Sequence, residues 1–173
     1  MGDYDTEINN IYSCYFRKVY GYCVYRLFLK DFAEDATSAV FLRLIEKYPS
    51  LRGKSSLEIR KWLYGTAKNI IAGYYRDSKH RKKIADELIH RVQGGITKNA
   101  FQQERLDWPE LYTAIGKLKT KYQEIIILRY FQGFEIAELA QLFGEKNSTM
   151  RVRLTRAVKK LRKELEKSRG GLY

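Results

Sequence analysis

Residues 138–161 read ELAQLFGEKNSTMRVRLTRAVKKL. Leu139, Ala140 and Phe143 recur at helical spacing up to Gly144, and a second apolar set begins soon after it: Met150, Leu154, Ala157, Val158 and Leu161. The spacing predicts two helices joined by a tight turn. At about 100° per residue the second set falls within about 80° of Met150, giving that helix one face to pack with. The other side gathers Ser148, Val152, Thr155, Arg156, Lys159 and Lys163, flanked by Thr149, Arg151 and Arg153, and no acid occurs between Lys146 and Lys163. A solvated surface helix usually mixes acids among its bases. Hydroxyls and guanidiniums at the start of a helix with an apolar back are what entry into a DNA major groove requires. The stretch is expected to be a helix-turn-helix whose DNA contacts are Ser148, Thr149, Arg151, Val152, Arg153, Arg156 and Lys159. A bland basic helix at the end of a chain is the alternative.

Charge along the whole chain separates these readings further. The 173 residues carry a net charge of +13. Residues 50–83 contribute +8 and residues 145–173 contribute +7, while the segments outside them are close to neutral. Two basic blocks around a neutral one imply two places where phosphates are met. No apolar run approaches the roughly 18 to 20 residues of a membrane span, and MGDYDTEINNIY is too polar for a secretory signal, so a cytoplasmic protein with no membrane partner is expected. Cys14 and Cys23 fall on opposite sides of a helix and read as reduced packing residues. His80 and His90 stand in no metal-ligand pattern, so neither a metal nor another cofactor is expected.

The rest of the chain shows helical periodicity and no convincing strand, which predicts an all-α fold of two small helical domains joined by a linker. Helices are expected over 6–29, over 33–48 with Pro49 as terminator, and over 57–82. The stretch IADELIHRVQGGITKNAFQQER then loses clear periodicity and contains Gly94 and Gly95. The boundaries are set at 1–83, with a linker over 84–106 and a four-helix domain over 107–173. In that second domain Asp107 is expected to cap a helix with Pro109 in its first turn, and Trp108, Leu111, Ile115 and Leu118 to form its buried stripe. Helices over 120–131 and 135–143 lead into the opening stretch.

The first basic block has its own chemistry. Trp62, Tyr64, Tyr74 and Tyr75 interleave with Lys68, Asn69, Arg76 and Lys79. Aromatic faces beside cations and an amide suit unstacked bases on a single strand. Trp62 also fits a helix core with Leu63, Ile70 and Ile71, whereas Lys68, Asn69 and Arg76 suit DNA. The candidate set for opened DNA is Trp62, Tyr64, Lys68, Asn69, Tyr75, Arg76 and Lys79.

The order and spacing of these segments resemble a bacterial RNA polymerase sigma factor of the extracytoplasmic-function (ECF) group of the sigma-70 family. FAEDATSAVFLRLIEKY resembles the family helix that docks on the polymerase clamp, and RKWLYGTAKNIIAGYYRDSKHRKK the segment that opens and reads the downstream promoter element. LYTAIGKLKTKYQEIIILRYFQGFEIAELAQLFG with STMRVRLTRAVKKLRKEL resembles the domain that reads the upstream element. The resemblance implies a non-enzymatic subunit that binds the clamp and flap regions of core RNA polymerase, and promoter DNA both as duplex and as melted single strand. It implies polymerase contacts at Glu34, Asp35, Ser38 and Arg43. An anti-sigma factor or a DNA-targeting recruiting protein stays open as a further partner.

Departures from the family pattern carry expectations too. Ser38 and Ala39 stand where a glutamine and a glutamate are common. In the turn, Glu145 and Lys146 replace an aliphatic residue and a capping serine, which moves the expected cap to Asn147 or Ser148 and predicts weak or unusual upstream readout. A helix-turn-helix regulator acting at an operator without polymerase would leave the first basic block unexplained. A tyrosine recombinase would need a His-x-x-Arg arrangement, but Lys83 and Gln93 follow the two histidines at that spacing.

Overall fold

The computed structural model describes residues 2–92 and 109–170, which are helical or in turns with no strand among them. The all-α expectation holds. The chain divides into two units, Met1–Ile84 and Ala85–Tyr173.

The first unit is built from α1 (Gly2–Leu27), α2 (Lys30–Leu51), α3 (Ser56–Arg76) and the first half of α4 (Ser78–Val92). Its core follows helical spacing on each element. Val19, Tyr22, Cys23 and Leu27 of α1 meet Ala33, Ala36, Val40 and Leu44 of α2 and Leu63, Ala67 and Ile71 of α3, all essentially without solvent contact. Phe28, which ends α1, is left-handed at φ 60°, a conformation that costs a non-glycine residue roughly 1–2 kcal/mol. Burial of its ring offsets that cost.

Pro49 does not terminate α2 but lies within its last turn. The Ile45 carbonyl that loses its intrahelical donor there accepts from the Tyr4 hydroxyl at 3.5 Å, and Arg52 N–H continues the ladder to Tyr48 at 2.9 Å. Tyr48 is held in turn by donating to Glu7 Oε2 at 2.7 Å, and Glu7 also pairs with Arg52 at 3.3 Å. The N-terminus of α1 thus supports the proline-bearing end of α2.

The helix expected over 57–82 is two helices. Ser55 opens α3 with a capping box, accepting from Glu58 N–H while the Glu58 carboxylate accepts from Ser55 N–H at 2.9 Å. At Asp77 the backbone turns extended, and the Asp77 carboxylate accepts the His80 N–H at 2.9 Å to start α4. An aspartate followed by a serine competes with the helix for its own N–H groups, which is why the break falls there. Phe32, Tyr74 and His80 pack around the break with centroids 4.9–5.1 Å apart. Helix α4 also covers 84–92, the opening of the stretch read as linker, and the remainder of that stretch lies outside the described residues.

In the second unit α5 (Pro109–Gly116), α6 (Thr120–Ile126), a π-helical turn (Ile127–Phe131), α7 (Ile136–Phe143) and α8 (Asn147–Gly170) enclose Ala114, Ile115, Ile125, Leu128, Phe134, Leu139, Met150 and Ala157. The expected cap at Asp107 and the burial of Trp108 lie outside the described residues. Gln123, buried in α6, donates through Nε2 to the carbonyls of Gly116 and Leu118 at 2.9 and 2.8 Å, which closes the end of α5. The helix expected over 120–131 widens in its second half, where Gln132 N–H reaches the Ile127 carbonyl at 3.0 Å. Arg129 donates to the Phe134 carbonyl at 2.9 Å and fixes the turn that follows.

Candidate nucleic-acid interface

Gly144 ends α7 in the left-handed conformation, with Glu145 N–H donating to the Ala140 carbonyl at 2.9 Å. Helix α8 begins at Asn147, and Met150 N–H donates to the Lys146 carbonyl at 3.1 Å, so Lys146 occupies the cap position. The cap expected at Asn147 or Ser148 lies one register earlier.

Met150 and Ala157 of α8 are fully buried and Leu154, Val158 and Leu161 half-buried, the division that the spacing predicts. Ser148, Thr149, Arg151, Val152, Arg156 and Lys159 are exposed. Arg153 is different. Its guanidinium is ion-paired with the Glu145 carboxylate and lies over the Phe143 ring at 5.6 Å, with only 21% of its side chain exposed. The other Glu145 oxygen is buried with no hydrogen-bond partner among the described residues. Glu145 is accommodated in the turn by drawing in the Arg153 guanidinium from α8. Arg153 therefore ties α8 to the preceding turn and to Phe143 of α7, apart from the exposed side chains of Arg151, Val152 and Arg156.

In the first unit Trp62, Thr66 and Asn69 of α3 face Arg43, Glu46, Lys47 and Ser50 of α2 across an open pocket of about 400 Å³. An indole, an amide, two hydroxyls, two cations and the Glu46 carboxylate line it. Lys68 is half-buried, Asn69 and Arg76 are exposed on the same helix, and Lys79 is exposed at the start of α4. Tyr64 and Tyr75 do not join this surface. Tyr64 is 1% exposed and meets Tyr22 edge-on at 5.4 Å, and burial pushes its hydroxyl pKa up. Tyr75 donates to the Arg26 carbonyl at 2.5 Å, and burial raises its pKa as well. Both attach α3 to α1, and their aromatic type alone concealed this.

Glu34, Asp35 and Ser38 are exposed on α2. Arg43 lies about 140° round the helix from Ser38 and lines the pocket instead. Two residues missed in the sequence extend the Ser38 stripe: Leu42, 61% exposed, and Ile45, 50% exposed. Their signal is two aliphatics outside the Ala36–Val40–Leu44 stripe. Among the described residues no cluster of His, Cys, Asp and Glu suits a metal ion, and no helix is long and apolar enough to cross a membrane.

One unit thus carries a basic helix-turn-helix and the other a pocket lined by an indole and an amide, the two parts that a promoter-binding class of protein combines. Residues 11–81 match the family model of Sigma-70 region 2, and residues 109–161 match that of Sigma-70, region 4. The chain belongs to the sigma-70 family, in its ECF group of RNA polymerase sigma factors. It is 29% identical over 175 residues to the RNA polymerase sigma factor YlaC of Bacillus subtilis, with 94% of each chain covered. It is 28% identical over 152 residues to the ECF RNA polymerase sigma factor BldN of Streptomyces coelicolor, spanning 87% of this chain and 57% of BldN. The sigma factor RpoE of Bartonella quintana, solved in complex with the anti-sigma factor NepR, shares the fold with a TM-score of 0.67 and 22% identity over 92% of this chain and 97% of that one.

Proposed function

We propose that this chain binds core RNA polymerase and directs it to promoters, holding duplex DNA upstream with α8 and the opened strand downstream with α3. Catalysis belongs to the polymerase, and this subunit supplies location and melting. The observation that carries the reading is the presence of two unlike basic surfaces in one chain. Helix α8 offers an exposed stripe of hydroxyls and cations around Val152, suited to a groove, while α3 offers a pocket wide enough for a base out of its stack. A regulator that only binds an operator needs the first surface and has no use for the second.

Docking on the polymerase clamp falls to the exposed α2 stripe of Glu34, Asp35, Ser38, Leu42 and Ile45, where two aliphatics amid acids make an apolar centre with a polar rim. The domain roles follow the same division, with residues 1–83 for docking and melting and 107–173 for upstream duplex. The internal pairing of Arg153 supports a weak upstream readout, with few bases contacted and placement assisted by a recruiting protein. An anti-sigma factor is the other partner class in this proposal. Adding the chain to core polymerase and mapping permanganate-reactive thymines on genomic promoter fragments tests the function. Melted segments that require the chain are expected, and duplex binding with no melting at any fragment would contradict it.

A further inference from the structure

The centre of the DNA-facing stripe of α8 is apolar. Val152 is 48% exposed, and its neighbours one turn away on either side, Ser148, Thr149, Thr155 and Arg156, are all exposed and polar. An isolated exposed valine is ordinary on a protein surface. Its surroundings make this one unusual. The next residue, Arg153, would place a second guanidinium beside it, but Glu145 and the Phe143 ring hold that group at the turn. Thr155 spends its hydroxyl on the Arg151 carbonyl at 3.0 Å, which leaves its γ-methyl as the group it offers at the surface. The stripe thus presents the two methyls of Val152 and the methyl of Thr155, flanked by Arg156 and Arg151 for phosphates or guanines. In the major groove the 5-methyl group of thymine is the one apolar feature that a base pair displays, and side-chain methyls are its complement.

We propose that Val152, with the Thr155 methyl beside it, reads a thymine methyl, so that the upstream element preferred by this chain contains an A·T pair at the position facing Val152. The inference rests on the reading of α8 as an upstream-duplex helix and adds the base that it selects. It also fits a weak readout, since one methyl group discriminates by about fourfold on the scale of a buried methylene.

The test uses holoenzyme reconstituted from the full chain and core polymerase, with a duplex pool randomised upstream of a fixed downstream segment. The wild type is expected to enrich an A·T pair at one position. Remaking the winning duplex with deoxyuridine at that thymine should weaken binding about fourfold, the effect of removing one methyl. Val152→Ala, an exposed substitution whose helix content is checked by circular dichroism, should bind thymine and uracil duplexes equally. Val152→Ile should keep the preference for thymine. An equal uracil penalty in the wild type and Val152→Ala, or no A·T enrichment by a holoenzyme that retains duplexes, overturns the inference alone. Retention of no duplex by the wild-type holoenzyme overturns the functional reading beneath it.

Discussion

Glu145, in the turn between α7 and α8, is ion-paired with Arg153, two turns into α8. Both side chains are less than one-third exposed, so solvent screens the pair little. On the proposed reading of α8 as an upstream-duplex helix, the pairing sets which of its three N-terminal arginines meet phosphate. Replacing Arg151 or Arg156 by Ala should each make the salt slope of duplex binding shallower by about 0.9, the value for one phosphate no longer neutralised. Arg153→Ala should leave the slope unchanged. Glu145→Gln, which releases the guanidinium, should make it steeper by about the same amount. Fluorescence anisotropy across a salt series measures all four.

Much of the fold could be read from spacing, because the apolar residues of α1, α2, α3 and α8 keep helical phase and nothing local competes with it. The departures have local causes that periodicity does not report. Pro49 stays helical because the Tyr4 hydroxyl, far away in sequence, serves the carbonyl that proline leaves free. Asp77 splits one periodic stretch because its carboxylate caps the next helix. Among candidate residues, the surface position of Asn69 and Arg76 on α3 was legible, since such groups are rarely buried. Tyr64 and Tyr75 were not, because a tyrosine serves a core as readily as a surface. The role of Arg153 was hidden in the same way, since ion pairing across a turn leaves no mark in composition.

The exposed stripe of α2 predicts a separation of functions. Leu42→Arg with Ile45→Arg should lower affinity for core polymerase at least about tenfold, as disruption of an apolar interface centre does. Neither residue is in the core, so the thermal midpoint of the isolated chain should not fall. Asn69→Ala should do the reverse of the first effect, leaving core binding intact while open-complex formation declines. Pull-down and permanganate footprinting distinguish the two.

Capping at the start of α3 supports the helix that carries Trp62 and Asn69. Ser55→Ala removes the acceptor for Glu58 N–H and should cost about 1 kcal/mol in chemical denaturation. Ser55→Asp should retain most of that stability.

Acid should act at the α3–α4 break. The Asp77 carboxyl is held below its ordinary value of 3.8 chiefly by the hydrogen bond from the His80 N–H. A depressed carboxylate contributes stability that is present above the unfolded value and lost as pH falls through the folded one. Amide exchange in the first turn of α4 should therefore accelerate, relative to the same amides in Asp77→Asn, as pH is lowered past about 4. Asp77→Asn, still a competent cap, should keep α4 at neutral pH and remove that part of the acid response.

The two thiols should differ in reactivity. Burial pushes the Cys23 pKa up to about 12, whereas Cys14 is exposed. A thiol reagent at neutral pH should label one cysteine in the folded chain and both in denaturant.

On the proposed function, this one chain gives core polymerase its promoters. The direct measurement is genome-wide mapping of transcription start sites with core polymerase alone, with the chain, and with the Leu42→Arg, Ile45→Arg variant. A set of start sites that appears only with the wild-type chain is the predicted result. Start sites that are the same with and without the chain, while the chain still binds duplex DNA, would contradict it.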